Sequence, residues 1–177
     1  MIRASLVLLV TVLLAACGNR EYRTIEMNVE AGPRLAVSCT ASFDGVIDRR
    51  RAGRVTGPSM HAYDIENLIE YLDANIRSML TESESGPSLD VELRYAYSQG
   101  KAMRGFYTVV LVATFSDLSP IVLRGRHDVT NWAGSSSEFQ RGITNAATQA
   151  LDALGRFLSE AEPCNEPLPR TETATTL

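Results

Sequence analysis

Hydrophobic and polar positions change their rhythm several times along the chain, and each rhythm predicts an element. Within residues 18–34, a polar stretch closed by Gly32-Pro33, Ile25, Met27 and Val29 alternate with charged or polar neighbours, which predicts a short edge strand. From Leu35 the period is two: Leu35, Val37, Cys39, Ala41 and Phe43 share one face of a strand. Beyond the Gly57-Pro58 breaker, Ile65, Leu68, Ile69, Leu72, Ile76, Met79 and Leu80 recur every three or four residues. They predict a helix starting near Tyr63 and closed by Gly86-Pro87, with Glu66, Glu70, Asp73 and Arg77 on its wet side.

Three strands follow. Leu89, Val91, Leu93, Tyr95 and Tyr97 alternate with Asp90, Glu92, Arg94, Ala96 and Ser98, so the first of them has a core face and a wetter face. Phe106 to Phe115 is apolar on both faces and belongs at the centre of the sheet. In the third, Ile121, Leu123, His127 and Val129 oppose Arg124, Arg126 and Asp128. If the outer strands are neighbours, those charges can pair with Asp90, Glu92 and Arg94. A last helix is announced by Ser135 and Glu138 at capping-box spacing, with a stripe of Phe139, Ile143, Ala146, Ala147, Ala150, Leu151, Leu154, Phe157 and Leu158. The order strand, helix, three strands, helix predicts an α+β fold: an antiparallel sheet of four or five strands with two helices packed on one face.

The amino-terminal pattern is of another kind. Leu6 to Leu14 is apolar apart from Thr11 and follows the basic Arg3; the run is shorter than the ~20 residues a spanning helix needs and matches the core of a secretory signal. Leu14-Ala15-Ala16-Cys17 resembles the lipobox of bacterial lipoproteins, which implies cleavage before Cys17, lipidation of its thiol with a diacylglyceryl group, and anchoring by fatty chains such as palmitate. More than one chain makes such an anchor firm, since each buried methylene contributes about 0.8 kcal/mol. Gly18, rather than aspartate, after the cysteine implies the outer membrane, with the domain on the periplasmic face. The expected organisation is a signal peptide over 1–16, a lipidated tether over 17–34, one α+β periplasmic domain over 35–162 and a disordered tail over 163–177.

Composition adds exclusions. The formal net charge of −4 becomes one unit more negative once Arg3 leaves with the signal, and it offers no footprint for nucleic acid. Arg49, Arg50, Arg51 and Arg54 form the one dense cationic run, a candidate anion-binding loop whose guanidinium forks match phosphate; such runs are more often solvated loops. His61 and His127 have no second histidine or cysteine at metal-ligand spacing, so no metal site or cofactor is expected. A turn or cap role fits His61, and a satisfied structural role fits His127. Ser135-Ser136-Ser137 fits a helix cap better than a nucleophile. No catalytic residues are identified and an enzyme is not expected. Once Cys17 is acylated, Cys39 and Cys164 remain: an oxidising periplasm favours a disulfide between them, against the alternative of one buried and one tail thiol.

The whole pattern from Cys17 to the last helix resembles small α/β outer-membrane lipoproteins. The element order is similar to that of the lipopolysaccharide-assembly (LptE-like) family, and Phe43-Asp44-Gly45-Val46-Ile47-Asp48-Arg49 looks similar to YajG-like lipoproteins. The auxiliary lipoproteins of lipid-transport ABC systems are a third kin group. The resemblance implies a non-enzymatic accessory in outer-membrane assembly or envelope transport, working through an envelope protein partner. The alternative is a binding module for an anionic lipid or glycan. Fold likeness supplies no site.

Overall fold

A computed structural model describes residues 22–25, 27, 37, 39–50, 54–56, 62–65, 67–101, 103–116, 118–130, 135–161 and 164. Its centre is a meander of three long strands, β7 (Leu89–Lys101), β8 (Arg104–Phe115) and β9 (Ile121–Thr130), paired antiparallel in that order. The short β3 (Val46–Asp48) adds to the outer side of β7 in parallel, so the four-stranded sheet runs β3-β7-β8-β9 and is mixed. The α+β class holds; the parallel edge is the departure. Two smaller pairings flank it. In the first, β1 (Tyr22–Ile25), β5 (Ala62–Ile65) and β4 (Arg54–Thr56) form a three-stranded sheet in the order β1-β5-β4; in the second, β2 (Cys39–Ala41) and β6 (Leu80–Glu82) run parallel.

The segment read as a tether therefore contributes structure: β1 pairs with β5, and Ile25 and Met27 are buried. The first predicted helix is shorter at both ends than its stripe. It spans Leu68–Arg77 (α1), while Tyr63 and Ile65 lie in β5 and Leu80 lies in β6. Local bonding gives the reason. The Asn67 side chain accepts from the Met27 amide and donates to the Met27 carbonyl, both at 2.6 Å, and so holds the chain before the helix beside the segment that follows β1. Ile65 is nevertheless in the core, as are Leu68, Leu72 and Ile76, so the apolar stripe was real and its secondary structure was not uniform.

The last helix, α2 (Ser136–Glu160), forms as its capping box predicts. The Ser135 hydroxyl accepts from the Glu138 amide at 3.2 Å and the Glu138 carboxylate accepts from the Ser135 amide at 3.3 Å. Its stripe is buried from Phe139 to Leu158, with Phe157 half-buried, and each fully buried leucine contributes about 1.5–3 kcal/mol. It lies close on β8 and β9. A Cβ built on Gly125 of β9 would stand 1.7 Å from the Ala146 carbonyl oxygen, so only glycine permits this approach. Tyr107 of β8 meets the Phe139 ring edge-on at 5.7 Å between centroids. A disulfide joins Cys39 in β2 to Cys164 beyond α2, with Cα atoms 4.5 Å apart across a sequence separation of 125.

Candidate functional site

Both helices lie against one face of the molecule's core, which leaves the opposite face of the four-stranded sheet without a helix among the described residues. What that face presents is decided by one irregularity. The β7–β8 register slips between Leu93 and Tyr95, a bulge that inserts Arg94 and reverses the alternation. Before it Leu89, Val91 and Leu93 face the core; after it Ala96 and Ser98 do. Tyr95, expected on the core face, is turned to the other side and is 59% exposed, whereas Tyr97 is half-buried and still packs against the core cluster. A one-residue slip moves every following side chain across the sheet.

Reading across the strands gives rows of the helix-free face. The first is Ile47, Glu92, Val112 and Val122; the next is Tyr95, Val110 and Arg124. Ile47 is 43% exposed and Val122 66%, and Leu118 in the β8–β9 turn is also exposed. This end of the face carries the exposed apolar side chains, with Glu92 and the outermost pair, Asp90 and Thr114, as its polar positions. The Glu92 carboxylate accepts from Arg49 at 3.3 Å and pairs with Arg94.

Farther along, Tyr97, Thr108 and Arg126 form a row, then Gln99, Phe106 and Asp128, then Lys101, Arg104 and Thr130 at the β7–β8 hairpin. Two guanidiniums lie over the Phe106 ring, Arg126 at 4.9 Å and Arg104 at 5.5 Å from its centroid. Arg126 also donates to Asp128 at 2.9 Å, whereas Arg104 and Arg124 have no ion pair among the described residues. This end is basic. Met103, in the hairpin turn, is 65% exposed.

Of the arginine run, the side chains of Arg49 and Arg50 are described, and both are ion-paired. Arg49 is taken by Glu92, and Arg50 donates through Nε and Nη2 to both oxygens of Asp48 at 2.9 and 2.8 Å. Arg50 holds the Asp48 carboxyl below its ordinary range, chiefly through that side-chain hydrogen bond, against a partial opposing effect of burial. The Arg50 Nη1 is buried without a hydrogen-bond partner. Arg54 lies in β4, and Arg51, like Cys17 and His61, lies outside the described residues.

His127 is half-buried between β9 and α2, its Nε2 3.3 Å from Asn145 Nδ2, while Asp128 points to the opposite face. That is a packing arrangement. The cross-strand pairing of Asp90, Glu92 and Arg94 with the β9 charges does not form, because β8 separates the two strands. An open recess of about 280 Å³ is lined by Ser42, Phe43, Asp44, Glu82, Ser83 and Glu84. Glu82 there already accepts from Arg77 at 2.6 Å, and no three His, Cys, Asp or Glu side chains are grouped to hold a metal among the described residues.

No family model and no curated protein matches the chain. Among solved structures it is similar to a Xanthomonas campestris protein of the DUF330 family at 13% identity, covering 77% of this chain and 93% of that one, with a TM-score of 0.43. It is also similar to a minor lipoprotein from Acinetobacter baumannii at 11% identity, covering 75% and 95%, with a TM-score of 0.37. Likenesses of this size assign neither family nor function to this chain.

Proposed function

We propose that the chain is a bacterial envelope lipoprotein, held by lipid on Cys17 at the periplasmic face of the outer membrane, and that it is a non-enzymatic accessory of envelope assembly or transport. It works by contact: a protein partner docks on the apolar end of the helix-free sheet face. The observation that carries this reading is the grouping of exposed Ile47, Tyr95, Leu118 and Val122 at one end of that face. Interface cores favour tyrosine and other apolar side chains and are poor in charge, with a polar rim. Glu92, paired with Arg49 and Arg94, is the charged group within the patch, and the exposed Asp90 lies at its outer edge. The lipobox supports the anchor, and β1 begins only five residues beyond Cys17. An extended chain of that length reaches at most about 18 Å, so the domain stays close to the bilayer.

The test is a photo-crosslinking side chain placed at Val122 in cells, with Arg156 on the exposed surface of α2 as the control. One envelope protein joined through Val122 and not through Arg156 is expected. The same adducts from both positions, or none, would overturn the docking reading. The anchor is tested apart from it: Cys17→Ala abolishes fatty-acid labelling and leaves the signal uncleaved, and a normally acylated product from that variant would refute lipidation at Cys17.

A further inference from the structure

The other end of the helix-free face has different chemistry. The β7–β8 hairpin, the longest in the fold, turns between Lys101 and Arg104 with Met103 exposed at its tip. The exposed Met103 thus precedes an exposed Arg104, and follows the chain's one lysine in sequence, in a chain whose net charge is −4. Phe106 holds the guanidiniums of Arg104 and Arg126 at its ring, which limits the rotamer freedom each would lose on binding. The carboxylate beside them, Asp128, is occupied by Arg126, so Arg104 keeps its full donor set.

We propose that this hairpin tip is a peripheral membrane contact for a bilayer bearing anionic phospholipid headgroups. Met103 enters the interface between headgroups and Arg104 meets the phosphates, with the charge of Lys101 at the end of the paired strand; Arg126, neutralised by Asp128, serves only to hold the Phe106 ring. Charge complementarity selects the occupant. An anionic bilayer offers a dense lattice of phosphate oxygens that arginine forks match, together with an apolar layer directly beneath for Met103. An acidic protein surface would provide the charge without that layer. The inference goes beyond the protein-docking reading and does not depend on it, since it uses the opposite end of the sheet. The device is also legible in the sequence as Lys101-Ala102-Met103-Arg104, where the chain's one lysine stands.

The test uses the full-length chain carrying Met103→Trp with Trp132→Phe, reconstituted through its own amino terminus into vesicles of phosphatidylcholine alone or with phosphatidylglycerol. The anchor is present in both, so tryptophan emission reads the depth of the tip and not whether the protein binds. A blue shift with quenching by brominated lipid is expected in the phosphatidylglycerol vesicles only, and it should shrink as salt shortens the range of exposed charges. Lys101→Glu with Arg104→Glu should abolish the shift while leaving the thermal midpoint unchanged, because Met103 and Arg104 are exposed and Lys101 is the last residue of β7. Water-like emission in both vesicles would overturn the proposal. An equal shift in both would also overturn it by removing the anionic selectivity. A shift that appears only when solubilised envelope proteins are added would reassign the tip to a protein partner.

Discussion

The two faces of the four-stranded sheet are made by the same strands and yet follow opposite rules. On the covered face every position is decided by fit to a helix: Gly125 admits the Ala146 carbonyl, Gly142 admits the Tyr107 ring, and Leu93, Leu111 and Leu123 form one row across three strands, all buried. On the free face, large apolar groups and arginines coexist, Val122 standing two-thirds exposed one strand from Val112, and Arg104 and Arg126 sharing one phenylalanine ring. Stability explains the first face and does not explain the second. A tyrosine and a valine left in water contribute little to folding, so the free face is where function is to be sought.

Mutations should separate the faces sharply. The largest effect is expected where the covered side is tied together: the disulfide fixes the residue beyond α2 to β2 and closes a separation of 125 residues. The chain-entropy model assigns such a loop about 4 to 5 kcal/mol. Reduction should therefore lower the thermal midpoint by about 10 to 20 °C, read by circular dichroism with and without dithiothreitol. A midpoint indifferent to reductant would mean that the link contributes nothing to the folded state.

Next comes a pair of neighbours on β9 that point in opposite directions. Gly125→Ala drives a methyl group into helix backbone, which cannot yield as a flexible side chain would, and should cost at least about 3 kcal/mol. Arg124→Ala, on the free face, should stay within about 0.5 kcal/mol. Comparable losses for the two in denaturant unfolding would erase the distinction between the faces.

Much of the covered face was legible in advance because its signals repeat. The stripe of α2 runs from Phe139 to Leu158, about five and a half turns, and the helix opens on a capping box, while β8 is apolar on both faces as a central strand should be. The core side of His127 was legible because alternation fixes a side once a strand is recognised, and the cysteine pair because Cys39 and Cys164 are what remains for an oxidising compartment to join once Cys17 is acylated. The free face was legible only in part: Asp90 and Glu92 of β7 and Arg124, Arg126 and Asp128 of β9 fall on the polar side their alternation predicts. Its key residue, Tyr95, was assigned to the core because Leu89 to Tyr97 alternates without a break in sequence; the Arg94 bulge carries no marker such as glycine or proline. The start of α1 failed differently. Ile65, Leu68 and Ile69 suit a helix, but a short apolar run is ambiguous by period alone, and the bond from Asn67 to Met27 joins residues 40 apart. The strand of Cys39 and Ala41 is read correctly from its alternation, but its parallel pairing with β6, like that of β3 with β7, joins partners just as distant, which local pattern does not encode.

The smallest expected effect tests the rim between the faces, where Asp48 at the end of β3 holds Arg50. The Arg50 hydrogen bond lowers the Asp48 pKa in the folded state, so the pair stabilises the protein above the unfolded value of about 3.9 and that stability is lost as pH falls through the lower, folded pKa. Asp48 is 36% exposed, and solvent screening keeps such pairs within about 0.2 to 1 kcal/mol. Asp48→Asn should therefore be slightly less stable than the parent at neutral pH, with the difference shrinking below about pH 4 as the parent's carboxylate is protonated. Added salt at pH 7 should shrink it as well. Because Arg50 Nη1 is already buried without a partner, the variant leaves the guanidinium poorer in acceptors and not merely unpaired in charge. A residual loss at pH 3, measured by urea unfolding across the pH series, would assign the effect to that hydrogen-bond deficit; a loss constant from pH 7 to pH 3 would show that the ionic pairing of Asp48 contributes nothing.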